Sequence, residues 1–159
     1  MRIKQGISPV AVANYLLEKD LRDKRPTLTR VKLLYLVYQC HGRYMAKYNA
    51  PLVNELVEAW SFGAVFPSIY EQVKDLGPDS LTKLLDDGSG DQLTAKQKQL
   101  ADEVYEDYRQ FDGVELMERE IDGKTPWAEV FIEQDREYFP ISNKLIKAYH
   151  KEMLDAQYV

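Results

Sequence analysis

Two histidines and one cysteine are the residues of this 159-residue chain best suited to metal or nucleophilic chemistry, and their spacing argues against both. His41 and His150 each fall in a stretch of helical periodicity with no second His or Cys one turn away, so no metal site is predicted. Cys40 and His41 are neighbours, but consecutive helix positions point about 100° apart and cannot pair as nucleophile and base within that helix. Cys40 is expected to be a buried small hydrophobe. A lone cysteine also excludes an internal disulfide, which fits a reducing compartment. Gly88-Ser89-Gly90 is too short for a phosphate loop and lacks the following Lys. The run Asp86 to Asp91 lacks the spacing and distal Glu of a calcium loop and reads as a plain mobile loop. Glu115, Glu118 and Glu120 could in principle do acid and base work, but acidic helix surfaces are too common to carry that reading. A carboxylate enzyme would need a cleft lined by convergent polar groups. The chain is expected to use no cofactor and to be no enzyme.

What remains is an aromatic surplus of eleven Tyr, five Phe and two Trp. Most should be core, since aromatics supply much of a small domain's buried area. Those left beside a groove would be anchors for a protein partner, because Tyr and Trp give large contact area at low entropy cost. Trp60, Phe62, Phe66, Tyr70 and Trp127 are the candidates, with the core as the competing role for each.

The elements that must position these rings centre on residues 56–76. Leu56, Glu58, Trp60 and Phe62 point one way in an extended chain and Val57, Ala59 and Ser61 the other, which predicts a short strand partly covered on both faces. Gly63 can take the positive φ that ends it. Pro67 suits a helix's first turn, and Ile69, Tyr70, Val73 and Leu76 repeat at helical spacing before Gly77-Pro78, which predicts a helix over 67–76.

Upstream, Ser8-Pro9 opens a helix with Val10, Ala13, Leu16, Leu17 and Leu21 on one face. The mixed charges from Glu18 to Arg25 read as its solvated end. Thr27 or Thr29 caps a second helix ending at Asn49-Ala50-Pro51. Apolar residues run nearly all round it, from Val31 to Tyr48, which makes it the central helix.

Downstream, Leu81, Leu84 and Leu85 suggest a short amphipathic helix. Thr94 and Gln97 form a capping box ahead of the stripe Leu100, Ala101, Val104, Tyr105 and Tyr108. Asp112 caps a short helix, Pro126-Trp127 begins another, and Ser142 caps the last. Tyr138-Phe139 is a candidate strand against the 56–62 segment. The reading is a mainly α, compact multi-helix single domain over residues 1–159, with a small β element near residues 56–62.

Composition narrows the setting. Formal net charge is −5 with no long Lys or Arg run, so the footprint of a nucleic-acid binder is missing. The start of the chain, Met1 to Gly6, lacks a signal peptide's apolar stretch, and no apolar run is long enough to cross a bilayer. A cytoplasmic protein without membrane contact is expected.

Glu58-Ala59-Trp60-x-Phe62-Gly63-x-Val65-x-Pro67-x-x-Tyr70 resembles the signature of the Panacea domain family, also known as the SocA-like or phage-associated GepA-like domain. Val12 to Leu17, Lys32-Leu33-Leu34-Tyr35, Gly42-x-Tyr44, Pro51-Leu52, Pro126-Trp127 and Ile141-Ser142-Asn143-x-x-Ile146-x-x-Tyr149 are similar to further motifs of that family in the same order. Three departures stand out: Ala64 for a usual Pro, Arg30 for a usual Leu, and Glu120-Ile121 for a frequent Thr-His pair. The resemblance implies an antitoxin that neutralises a protein toxin encoded by an adjacent gene through direct contact, and it adds Lys32 to the candidate contact residues. It also implies an alternative, a proteolytic adaptor or phage-associated interaction protein delivering a toxin to a cytosolic protease. Some members carry a DNA-binding helix-turn-helix, for which this chain is not expected to have room.

Overall fold

The computed structural model describes residues 5–156, so the leader reading for Met1 to Lys4 lies outside the described residues. The architecture is mainly helical, with a small antiparallel sheet. α1 spans Pro9–Leu21, and the Ser8 hydroxyl accepts from the Val10 N–H as expected of an N-cap. α2 spans Arg30–Tyr48, is capped by Thr29, and closes on Asn49 in the left-handed region at φ 56°. Its residues from Lys32 to Gly42 are buried on nearly every side, apart from Tyr35. α1, α4 (Ala95–Asp107), α5 (Gly113–Asp122) and α7 (Asn143–Ala156) all pack against it, which makes α2 the central helix.

The α2–α7 contact depends on a glycine. A Cβ at Gly42 would stand 2.3–2.5 Å from the His150 imidazole, so this position must be bare for the two helices to meet.

The β element is a hairpin with a third strand rather than a lone strand. β1 (Glu58–Trp60) pairs antiparallel with β2 (Gly63–Val65), and on its other edge with β3 (Phe139–Pro140), placing Ala59 opposite both Ala64 and Phe139. Gly63 has φ 137° and stands where the turn enters β2, so its freedom turns the strand back instead of ending it. Pro140 is tolerated because β3 is an edge strand.

Three loop and helix expectations are corrected. α3 covers Pro67–Val73, three residues short of 76, and Leu81, Leu84 and Leu85 lie on an extended strap rather than a helix. The strap is tied by the Leu81 N–H to the Leu28 carbonyl at 2.8 Å and by the Ser80 hydroxyl to the Pro26 carbonyl at 2.9 Å. Nor is the loop Asp86 to Asp91 free of anchors. The buried Asn14 amide of α1 donates to the Leu85 and Gly88 carbonyls at 2.9 and 2.7 Å and accepts from the Leu85 N–H, which satisfies backbone groups that an apolar anchor could not.

The charged end of α1 is also less solvated than its composition suggests. Asp20 is fully buried, and its carboxylate accepts from the Thr27 and Leu28 N–H groups, the Thr27 hydroxyl and the Tyr105 hydroxyl. It ties the α1–α2 turn to α4. The capping boxes Thr94–Gln97 and Asp112–Glu115 both form.

Candidate partner-binding face

The hairpin and the helix after it gather the aromatic residues on one side of the molecule. Trp60 is half-buried, and its indole N–H donates to Glu58 Oε1 at 3.0 Å, two positions along the same strand face. Tyr70 of α3 stands edge-on to Trp60 with ring centroids 4.6 Å apart, and Phe62 completes the group at 6.1 Å. On the other flank Tyr138 meets Trp60 edge-on at 5.1 Å. Tyr138 is 61% exposed and Phe139 40%, with the Arg136 guanidinium 4.4 Å from the Phe139 ring centroid. Tyr138 holds φ 58°, an uncommon conformation for a bulky residue, while its N–H donates to the Ala59 carbonyl. Trp60, Phe62, Tyr70 and Tyr138 form a contiguous aromatic ledge, partly exposed and with its backbone bonded into the sheet, whereas Phe139, opposite Ala59, belongs to the other face of the sheet.

The five aromatic candidates divide. Trp60, Phe62 and Tyr70 share the ledge and keep part of their surface open. Phe66 and Trp127 are core: Phe66 is fully buried against the His41 ring, and Trp127 stacks on Phe131 with centroids 4.9 Å apart while donating to the Trp60 carbonyl at 2.6 Å. In this conformation they offer a partner no surface and act by supporting Trp60 and the hairpin. Lys32 is buried too. Its ammonium donates to the Arg109 carbonyl at 3.0 Å, tying α2 to the end of α4, and burial lowers its pKa.

The sequence reading missed Tyr138 as a member of this face. Its signal was present in the strand pairing with 56–62, since a strand beside β1 must place its side chains next to those of β1.

The groups with chemical potential are closed off or isolated. Burial pushes the Cys40 thiol up to about 12, so it stays protonated. His41 accepts from the Val53 N–H through Nδ1, so its Nε2–H donates to Asn143 Oδ1 at 3.0 Å; burial holds its pKa down to about 4. His150 donates from Nδ1 to the Ile146 carbonyl at 2.9 Å and is held near 4 for the same reason. Among the described residues no group of His, Cys, Asp and Glu is placed to hold a metal ion, and no helix is long and apolar enough to cross a membrane.

One cleft with converging polar groups does exist, between α2, α5 and α7, and Glu120 lies in it. Among the described residues Glu120 is the only carboxylate in its lining, whereas Glu115 and Glu118 are exposed, so the three acids noted in the sequence do not form a pair.

The family model "Antitoxin SocA-like, Panacea domain" matches residues 31–128, well over half of the chain. The chain belongs to the Panacea domain family. The match runs from α2 through the hairpin to Ala128, so Trp60, Phe62, Tyr70 and Trp127 lie within the Panacea segment. α1, β3 and α7 lie outside it, although the sequence motifs resembling the family extend into α1 and α7. A curated relative, Antitoxin SocA of Caulobacter vibrioides (strain NA1000 / CB15N), is 39% identical over 74 residues. That stretch is 46% of this chain and 39% of the relative, so the matched portion is well under two thirds of the relative's length. No solved structure matches significantly.

Proposed function

We propose that this Panacea protein is an antitoxin that neutralises a cognate protein toxin, encoded by an adjacent gene, by binding it directly through the aromatic ledge in the cytoplasm. Family membership together with the relative's name, Antitoxin SocA, carries the antitoxin role. Support for direct contact comes from Trp60, Phe62, Tyr70 and Tyr138, which put aromatic surface of the kind that anchors protein interfaces on one face of the hairpin. A standard interface buries about 1,600 Å² in total, which one face of a domain this size supplies. No catalytic step is assigned to the antitoxin, and the buried neutral histidines and protonated Cys40 are consistent with that. The net charge of −5 favours encounter with a basic toxin.

Co-expression with the adjacent gene's product tests the reading. Growth should be rescued, the two proteins should co-purify, and the toxin's half-life should be unchanged or longer. Failure of rescue by the wild-type chain would exclude an antitoxin role, and a shortened half-life would point to delivery for proteolysis instead.

A further inference from the structure

Among the described residues one buried carboxylate is left with an oxygen that nothing pairs. Glu120, on the inner side of α5, is 5% exposed, and its Oε1 has no hydrogen-bond partner among the described residues. Desolvation is the whole cause that pushes its carboxyl up to about 7. Toward the hairpin it borders a crevice of about 20 Å³, enough for one water molecule, beside the equally unpartnered Tyr38 hydroxyl. On its other side opens a cleft of about 270 Å³.

The walls of that cleft suit a cation. Tyr35, Tyr108 and Tyr149 line it, the first two packed edge-on with centroids 5.4 Å apart. Aromatic ring faces attract positive charge. Two arginines also line the cleft, but each has a counterpart of its own: Arg43 is bonded to Asp107 at 2.7 Å, and the Arg119 guanidinium lies 4.1 Å from the Phe111 ring centroid. His150 stays neutral and makes no competing charge.

We propose that this cleft receives a basic side chain of the protein partner, its cationic head paired with Glu120 and its aliphatic stem flanked by Tyr35, Tyr108 and Tyr149. This deepens the reading that the chain works by binding a protein and rests on it. The overall charge of −5 favours the same sign of guest. Once the cation enters, the carboxylate gains the partner that its own fold withholds.

The test uses the full chain in two arms. In the first, n-butylguanidinium and n-butylammonium are titrated while backbone amide NMR shifts are followed. Saturable shifts at Gln39, Tyr149 and His150 are expected, abolished in Glu120→Gln and retained in the exposed control Glu118→Gln. Absence of saturable shifts, or equal shifts in Glu120→Gln, overturns the proposal. In the second arm, toxin affinity is measured for the same variants. Glu120→Gln should weaken binding by about tenfold or more, as expected when one member of a close interfacial charge pair is neutralised. Unchanged affinity would overturn the partner assignment even if free cations bind, while leaving the antitoxin reading intact. Failure of the wild-type chain to bind the toxin at all would instead remove that antitoxin reading, and the partner assignment with it, whatever the cation titration gives.

Discussion

The aromatic ledge and the α2–α7 seam use similar residue types to opposite ends. At the ledge, Trp60, Tyr70 and Tyr138 pack edge to edge and remain partly open, while the polar groups beneath them are paired into a three-stranded sheet. Along the seam, Tyr38, His41 and His150 are buried, and each histidine's ring N–H has an acceptor, Asn143 Oδ1 for His41 and the Ile146 carbonyl for His150. Substitution at the ledge should therefore change what the protein binds. Substitution at the seam should change whether it stays folded. Glu120, at the edge of the seam, is buried like a structural residue, yet its carboxylate, unlike that of Asp20, keeps an oxygen without a partner among the described residues.

The largest effect is expected at Gly42. Gly42→Ala places a methyl within 2.5 Å of the His150 ring and should cost about 3 kcal/mol or more, read as a lower urea midpoint. The double variant Gly42→Ala with His150→Ala should recover part of that loss, because the clash is removed with the ring. Failure to recover would mean that Gly42 is needed for some reason other than its approach to α7.

Removing the Asp20 carboxylate should cost about 2–3 kcal/mol, since Asp20→Ala leaves the buried Leu28 N–H and the buried Tyr105 hydroxyl without their acceptor. This extends the comparison to the α1–α2 turn, where a residue that reads as surface charge should behave like the seam.

Glu120→Gln should act with the opposite sign. The folded-state pKa is raised from 4.5 to about 7, so the folded protein binds the proton more tightly and the burial penalty is absent below about pH 4.5 and complete above about pH 7. The variant should gain about 1–2 kcal/mol at pH 8 and nothing at pH 4. That gain stays below the roughly 3 kcal/mol set by the shift, because the buried amide still lacks a partner. His41 and His150, lowered from 6.5 to about 4, work the other way: their contribution is complete above about pH 6.5 and is lost as pH falls toward 4. Between pH 4.5 and 6.5 the stability of Glu120→Gln should therefore rise more steeply with pH than that of the wild type, a difference that urea titrations at several pH values would read.

The ledge should give the smallest stability effect. Tyr138→Ser removes a ring that is already 61% exposed, so it should shift stability by no more than about 1 kcal/mol, the worth of its edge-on contact with Trp60, while toxin binding falls.

Much of this division was legible in the chain. Local rules carried the helix starts, since Ser8, Thr94, Asp112 and Ser142 act through bonds to backbone two or three residues away. All-round apolarity marked α2 as central, and the Glu58 to Tyr70 motif located the hairpin and the family. What the sequence hid was long-range pairing. Nothing near Asn14 announces that it fastens a loop some seventy residues on, and nothing near Asp20 announces Tyr105. Phe66 and Trp127 have the composition of contact residues, but their exposure is decided by what packs over them. Glu120 has the spacing of a solvated helix face, and only the approach of α2 and α7 buries it.

The claim on which the functional reading stands is that the exposed ledge itself meets the toxin. The most direct measurement is growth rescue by a Tyr138→Ser variant co-expressed with the adjacent gene's product, alongside its urea midpoint. Lost rescue with a near-wild-type midpoint is the predicted result. Full rescue by a variant of wild-type stability would contradict neutralisation through this face.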